Sequence, residues 1–154
     1  MTPHFLLHHL LAARALSQDP ALVYKEHSLT YNAFAVAAAW YAAALQAKGA
    51  ERGDRVVIYL PRGLEECWSI FGVSMAGGVF VPVNALLKAQ QIRHIVSDCG
   101  AKIVISSAAM MDELKTALED LPDVTVLLAE EIETRATPAR PSAAAASTAS
   151  PPLA

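Results

Sequence analysis

The chain has 154 residues, 54% of them apolar and 18% charged, with a formal net charge of −3. That length supports about one domain with enough apolar content to bury a core, which excludes a wholly disordered chain. No cluster of Lys or Arg offers a footprint for nucleic acid, and Cys67 and Cys99 stand in no metal or redox spacing, so two free thiols in a reduced cytoplasm are expected.

The first helical pattern covers residues 3–17, with Phe5, Leu6, Leu10 and Leu11 on roughly one face, and Asp19-Pro20 breaks it. Two short extended runs, 21–24 and 28–31, flank the polar Lys25-Glu26-His27 and predict a hairpin. An alanine-rich helix over 32–48 follows, with Gly49 suited to its left-handed stop. Alanine, 30 residues in all, favours helix but fills little volume, so Val, Ile, Leu and Phe must supply the core. A regular alternation then sets in. Strands are expected at 55–60, 79–83, 102–106 and 124–128, and helices at 64–76, 89–99 and 110–121. Strands apolar throughout that alternate with helices of about a dozen residues predict a parallel sheet covered on both faces. The expected fold is α/β, a three-layer sandwich with a mainly parallel sheet, preceded by an N-terminal helix and a short hairpin. The pattern stops near Glu133. Residues 134–154 are Ala, Pro, Ser and Thr with two arginines and a single leucine, Leu153, a linker composition. The expected organisation is therefore a domain over 1–133 and a linker or unpacked tail over 134–154.

Residues 67–87 carry no charge over a length that would span a membrane. Gly72, Gly77, Gly78, Pro82 and Asn84 instead read as a helix end followed by a buried strand, so no membrane span is expected. The N-terminus has no basic residue ahead of its apolar stretch, unlike a signal peptide, and a cytoplasmic location is expected.

Four constellations invite a chemical reading. His4 and His8, with His9 beside them, have helical spacing for zinc, but no third ligand and no glutamate in a His-Glu-x-x-His pattern accompany them. Gly72-Val73-Ser74-Met75-Ala76 approximates a hydrolase elbow, yet that motif needs its serine at a strand-to-helix turn. Ser74 falls inside a helical pattern, where its hydroxyl is expected to bond the helix backbone. Gly77-Gly78 comes after a helix and before a strand, the wrong end for binding phosphate. The acidic residues Asp112, Glu113, Glu119, Asp120, Glu130, Glu131 and Glu133 are expected on solvated helix faces and at the linker. No catalytic residue and no metal ligand is assigned.

The same stretches carry a family resemblance. Leu29-Thr30-Tyr31-x-x-Phe34, Leu45-x-x-x-Gly49 and Gly53-Asp54-Arg55-Val56 resemble the opening of the AMP-forming acyl-CoA synthetases, a superfamily that includes peptide-synthetase adenylation domains and luciferases. The run from Met75 to Asn84, with Ala76-Gly77-Gly78 leading into apolar residues and Pro82, resembles that family's second core motif. Asp98-Cys99-Gly100-Ala101-Lys102 continues it in order. His8-His9-Leu10-Leu11, Ile70-Phe71-Gly72 and the stretch from Pro82 to Lys88 look like the acyl-CoA ligases associated with exosortase A systems.

The resemblance implies a two-step reaction in which a carboxylate and ATP form an acyl-adenylate and pyrophosphate, and a thiol such as that of coenzyme A then displaces AMP. It implies ATP, Mg²⁺ and coenzyme A for the parent enzyme, none of them bound by this stretch alone. The family's phosphate loop, Thr-Glu pair, ribose-binding aspartate and C-terminal lysine lie beyond the matched region. The implied partners are that missing C-terminal portion and a small carboxylic acid. By the same likeness Lys115, the only basic residue on the helix over 110–121, is a candidate coenzyme A contact. Three classes of function follow: an N-terminal ligase fragment inactive alone, a structural subunit of a split ligase, or a small independent hydrolase using Ser74.

Overall fold

A computed structural model of the chain describes residues 6–135. The four expected strands are β3 (Arg55–Ile58), β4 (Val79–Pro82), β5 (Ile103–Ser106) and β6 (Thr125–Leu128), and all neighbours pair in parallel in the order β4-β3-β5-β6. Between them run α3 (Leu64–Met75), α4 (Ala89–Cys99) and α5 (Met111–Leu118), the last entered through a 3-10 turn at Ala108–Met110. Ahead of the sheet stand α1 (His9–Ala12), the hairpin β1 (Pro20–Tyr24) and β2 (His27–Thr30), and the long α2 (Tyr31–Ala47). A short α6 (Ala129–Arg135) follows β6 directly.

Side-chain alternation along the strands builds two cores. Val56, Ile58, Ile103, Ile105 and Leu127 face one way and pack with Tyr41 and Leu45 of α2, Val73 of α3 and Ile132 of α6. Val57, Tyr59 and Val104 face the other way, against Ile92 and Val96 of α4 and Leu114 and Ala117 of α5. The result is the expected three-layer α/β sandwich. A third cluster joins the N-terminal elements to it, with Leu11, Phe34 and Ala38 against Leu22, Leu29 and Phe71. The Phe34 and Phe71 rings meet edge to face, 4.8 Å between centroids.

Several of the family-like residues are stitches between these layers. Asp54 accepts from the Glu51 amide at 2.9 Å and pairs with Lys102 at 3.0 Å, and these contacts hold its carboxyl below the usual range. Arg55 donates through Nε to the Cys99 carbonyl at 2.6 Å and through its guanidinium to Gly100 and Gly53 carbonyls. It thereby satisfies carbonyls left open at the end of α4, where Gly100 takes the left-handed conformation. Thr30 caps α2 by accepting from the Ala33 amide.

The differences from the expected elements have physical reasons. The helix expected over 3–17 is only the four residues of α1 within the described part, flanked by turn bonds such as Ser17 N–H to Arg14 O. Among the described residues of its stripe only Leu11 is buried, in the cluster with Phe34 and Ala38; Leu6 and Leu10 are about half exposed, and Leu16 beyond them is exposed, so the short helix docks through one side chain. Strand β4, expected to be buried, is an edge with one neighbour, and Val79 and Phe80 are exposed. Helix α5 stops before Leu121, which precedes Pro122 and is disfavoured from helix by it. Helix α6 was not expected at all; it includes Thr134 and Arg135, two residues assigned to the linker. The remainder of that linker, residues 136–154, and Pro3, His4 and Phe5 lie outside the described residues. No helix among the described residues is long and apolar enough to cross a membrane.

Two contacts in the N-terminal half are directly testable. At Gly72, α2 and α3 touch: a Cβ there would lie 2.5 Å from Tyr41 Cβ and 2.9 Å from the Ala38 carbonyl oxygen. Alanine in place of a helix-interior glycine gains about 1 kcal/mol of propensity, whereas overpacking against a fixed backbone costs about 1–3 kcal/mol. Gly72→Ala is therefore expected to lower the urea midpoint despite the better helix former. The second contact is His8, whose Nδ1 lies 3.0 Å from Ser74 Oγ. Burial and then His9 lower the His8 pKa below 6.5, against an opposing contribution from Ser74. The fold thus favours neutral imidazole. Its contribution is present above the unfolded value and is lost as pH falls through the lower folded one. Stability measured by denaturation is expected to fall from pH 7 toward pH 5, with a shallower fall in His8→Gln.

Candidate functional site

The strand order reverses at β3. The chain moves from β3 outward to β4, then returns to the opposite side of β3 for β5 and β6. In an open parallel sheet the loops leaving the two strands at such a reversal diverge and open a crevice at their carboxyl ends. A cavity of about 290 Å³ lies there, lined by Tyr24, Leu60, Pro61, Arg62, Gly63, Glu65, Ser107, Ala129, Glu130 and Glu133.

Each wall follows from local sequence. Beyond β3, Tyr59 and Leu60 stay buried, and Tyr59 still donates its amide to Ile105. Pro61 has no amide to continue the ladder. Arg62 and Gly63 turn the chain into α3, whose first turn carries Glu65 and Glu66 where the helix dipole favours carboxylates. On the β5 side, buried Ser106 donates to the Tyr59 carbonyl at 2.9 Å and ties the two strand ends together. Glu130 of α6 accepts from the Ala108 amide at 3.1 Å and 3.3 Å, bracing the turn after Ser107. From the hairpin, Tyr24 donates to the Arg62 carbonyl at 2.9 Å. Tyr41 donates to Glu133 at 3.5 Å. Ser107 Oγ is buried and has no hydrogen-bond partner.

The crevice is acceptor-rich. Glu65, Glu130 and Glu133 face a single guanidinium, that of Arg62. Burial first, then Glu133, Glu65 and Glu130, push the Tyr41 hydroxyl far above its ordinary pKa, so it remains a donor at any working pH. A neutral or cationic group suits this lining. A triphosphate would meet three carboxylates and one guanidinium there, a poor match in charge. Among the described residues no group of three or more His, Cys, Asp or Glu is arranged to hold a metal ion.

The residues singled out in the sequence do not converge here. Ser74 sits within α3, one residue before its end, rather than at a strand-to-helix turn. Its partner is the His8 side chain and amide, not the expected helix backbone. Gly77, with φ 82°, and Gly78 make the tight turn from α3 to β4, where a Cβ on Gly78 would press on Val73 and the Asp54 carbonyl. Cys67 and Cys99 are half-buried free thiols, and burial raises the Cys67 pKa. Lys115 is exposed on α5, in the layer that carries Leu114 and Ala117. The acidic residues are less passive than a solvated face. Besides Glu130 and Glu133, Glu113 accepts from the Ala89 amide at 2.8 Å and meets Lys88, and Asp120 pairs with Arg93 at 2.7 Å. The crevice residues Arg62, Glu65 and Ser107 carry no motif. Their only sequence signal is position, just past the ends of two apolar strands.

The AMP-binding enzyme family model matches residues 11–153. The chain is 32% identical over 123 residues to the long-chain-fatty-acid–CoA ligase FadD13 of Mycobacterium tuberculosis, covering 75% of this chain and 24% of that protein. It is 28% identical over 144 residues to syringomycin synthase SyrB1 of Pseudomonas syringae pv. syringae, covering 90% and 24%. The crystal structure of the anthranilate CoA ligase AuaEII in complex with anthranoyl-AMP superposes with a TM-score of 0.78 at 19% identity, over 90% of this chain and 28% of that one. The chain thus spans about a quarter of each of these relatives. Its residues, and the sheet they build, belong to the AMP-binding enzyme family.

Proposed function

We propose that the chain is the structural first portion of the large domain of an AMP-forming acid–thiol ligase, and that it does not form an adenylate alone. The parent reaction on this reading joins a carboxylate to ATP with release of pyrophosphate, then passes the acyl group to a thiol, typically coenzyme A. Among the relatives, FadD13 is a CoA ligase by its name. The observation that carries the proposal is the combination of the family match with an acidic crevice at the strand reversal. A wall of this lining shapes a pocket, but adenylation needs donors and cations aimed at the phosphates before reaction. ATP, Mg²⁺ and coenzyme A would then be held by segments outside residues 6–135, with the carboxylic acid and the remaining ligase portion as partners. The likeness around His8, Ile70 and Pro82 supports placing it with the exosortase A-associated ligases, working in the cytoplasm. No step is assigned to Lys115, whose exposure is also that of an ordinary surface lysine.

The test is ATP–pyrophosphate exchange with a broad panel of carboxylic acids. The chain alone is expected to give no exchange above a no-enzyme control. Together with the polypeptide encoded directly downstream, fused or separate, it is expected to give exchange that heat abolishes. Heat-sensitive exchange by the chain alone contradicts the proposal.

A further inference from the structure

His8 and Ser74 take no part in the crevice, yet they form a pair that joins the N-terminal segment to α3. Ser74 lies in the last turn of α3, with its Oγ 3.4 Å from the His8 amide nitrogen and 3.0 Å from His8 Nδ1. The amide can only donate, so Oγ accepts from it. The hydroxyl hydrogen then needs an acceptor of its own. Ser69 and Thr116 give theirs back to their own helices, to the Glu65 and Asp112 carbonyls. Ser74 makes no such bond, which leaves His8 Nδ1 as its acceptor. Nδ1 accepts only while it carries no proton, with the ring hydrogen on Nε2.

The surroundings give an imidazolium at His8 little support. Burial disfavours it, and among the described residues His9, whose ring stands edge-on at 4.6 Å, is the one charge-bearing side chain that acts on it. Helix α2 contains no Asp, Glu, Lys, Arg or His, and α3 keeps Glu65 and Glu66 in its first turn, at the opposite end from Ser74. The hairpin carries Lys25, Glu26 and His27 at its turn, and Arg14 lies over the Tyr31 ring, 5.0 Å from the centroid. The Gly72, Val73 and Ser74 carbonyls, which would otherwise favour a cation at this helix end, already accept from the Ala76, Gly78 and Gly77 amides.

The segment is tied at both ends. At the far end Asn32 donates its side-chain amide to the Ala15 carbonyl at 2.8 Å and its backbone amide to the Ser17 carbonyl at 3.0 Å. At the near end stands the His8–Ser74 pair. Between them Leu11 enters the cluster with Phe34 and Ala38, against which Cys67 and Phe71 also pack.

We propose that His8 and Ser74 form a proton-released latch: gain of a proton at His8 Nδ1 parts the pair, and residues 6–13 swing away from α3 about the Asn32 anchor, uncovering the cluster of Phe34, Phe71 and Cys67. The release is local, and the parallel sheet stays folded. It sets in below pH 6.5, because the docked segment favours the neutral ring relative to the free one.

Site-resolved labelling of the two thiols with 4,4′-dithiodipyridine tests the latch, each rate being divided by that of the matching unfolded peptide at the same pH. Cys67 protection is expected to fall about threefold or more from pH 7 to pH 5. Cys99, in the opposite layer, is expected to keep its protection. The amides of Leu11 and Ala12, which donate to the His8 carbonyl, are expected to lose protection in parallel. His8→Gln is expected to abolish the pH response, and Ser74→Ala to expose Cys67 already at pH 7 with Cys99 unchanged. Equal Cys67 protection at the two pH values overturns the inference. So does a parallel loss at Cys99, which marks global unfolding, or a pH response that survives in His8→Gln, which moves the titration to another group. A proton found on His8 Nδ1 at pH 7 by imidazole nitrogen resonance overturns it as well.

Discussion

Strand β3 is covered on both faces and paired on both edges, and the rest of the molecule is arranged around that fact. Val56, Val57, Ile58, Tyr59 and Leu60 are each no more than 3% exposed. Successive residues belong to opposite cores, so a one-residue slip would exchange the two sets of side chains. Because β4 and β5 flank it on opposite sides, the crevice can open only where β3 ends. The buried bond from Ser106 to the Tyr59 carbonyl closes the floor of that opening. Core packing and site placement are thus one constraint.

The residues that carry the family resemblance act mechanically. Gly53 and Gly77 take positive φ angles and meet through the Gly53 amide and Gly77 carbonyl, joining the turns before β3 and β4. Asp54 and Arg55, adjacent in sequence, reach Lys102 and the end of α4. Ala76-Gly77-Gly78 lets α3 turn into β4 in the least space. Such residues build the sheet rather than line its crevice, and they carry little information about substrate. That explains how one stretch can resemble both a long-chain-fatty-acid–CoA ligase and a syringomycin synthase.

Periodicity made most of the fold legible. Helix α4 has the bounds expected for it, and β3 through β6 fall within the expected strands. Strand order was not legible, because nothing in an apolar run such as Val79 to Val83 states how many neighbours it will have. The exposure of β4 and the existence of the crevice both depend on that order. Helix α1 shows the converse limit, an apolar stripe of which Leu11 is received by the core while Leu6 and Leu10 stay about half exposed. Helix α6 was hidden because Glu130, Glu131 and Glu133 read as the start of a solvated linker. In the fold, Glu130 and Glu133 turn toward Ala108 and Tyr41, while Ile132 enters the core. The site's acidic character was therefore visible as composition but not as a place.

Native-state hydrogen exchange across increasing denaturant bears most directly on the central claim that β3 organises both layers. The ladder amides of Val57, Ile58 and Tyr59 should exchange only through global unfolding, with an opening free energy equal to that from equilibrium denaturation. The hairpin amides of β1 and β2 should open at lower cost. Exchange of β3 through a partial opening that leaves the hairpin and α2 protected would contradict the account.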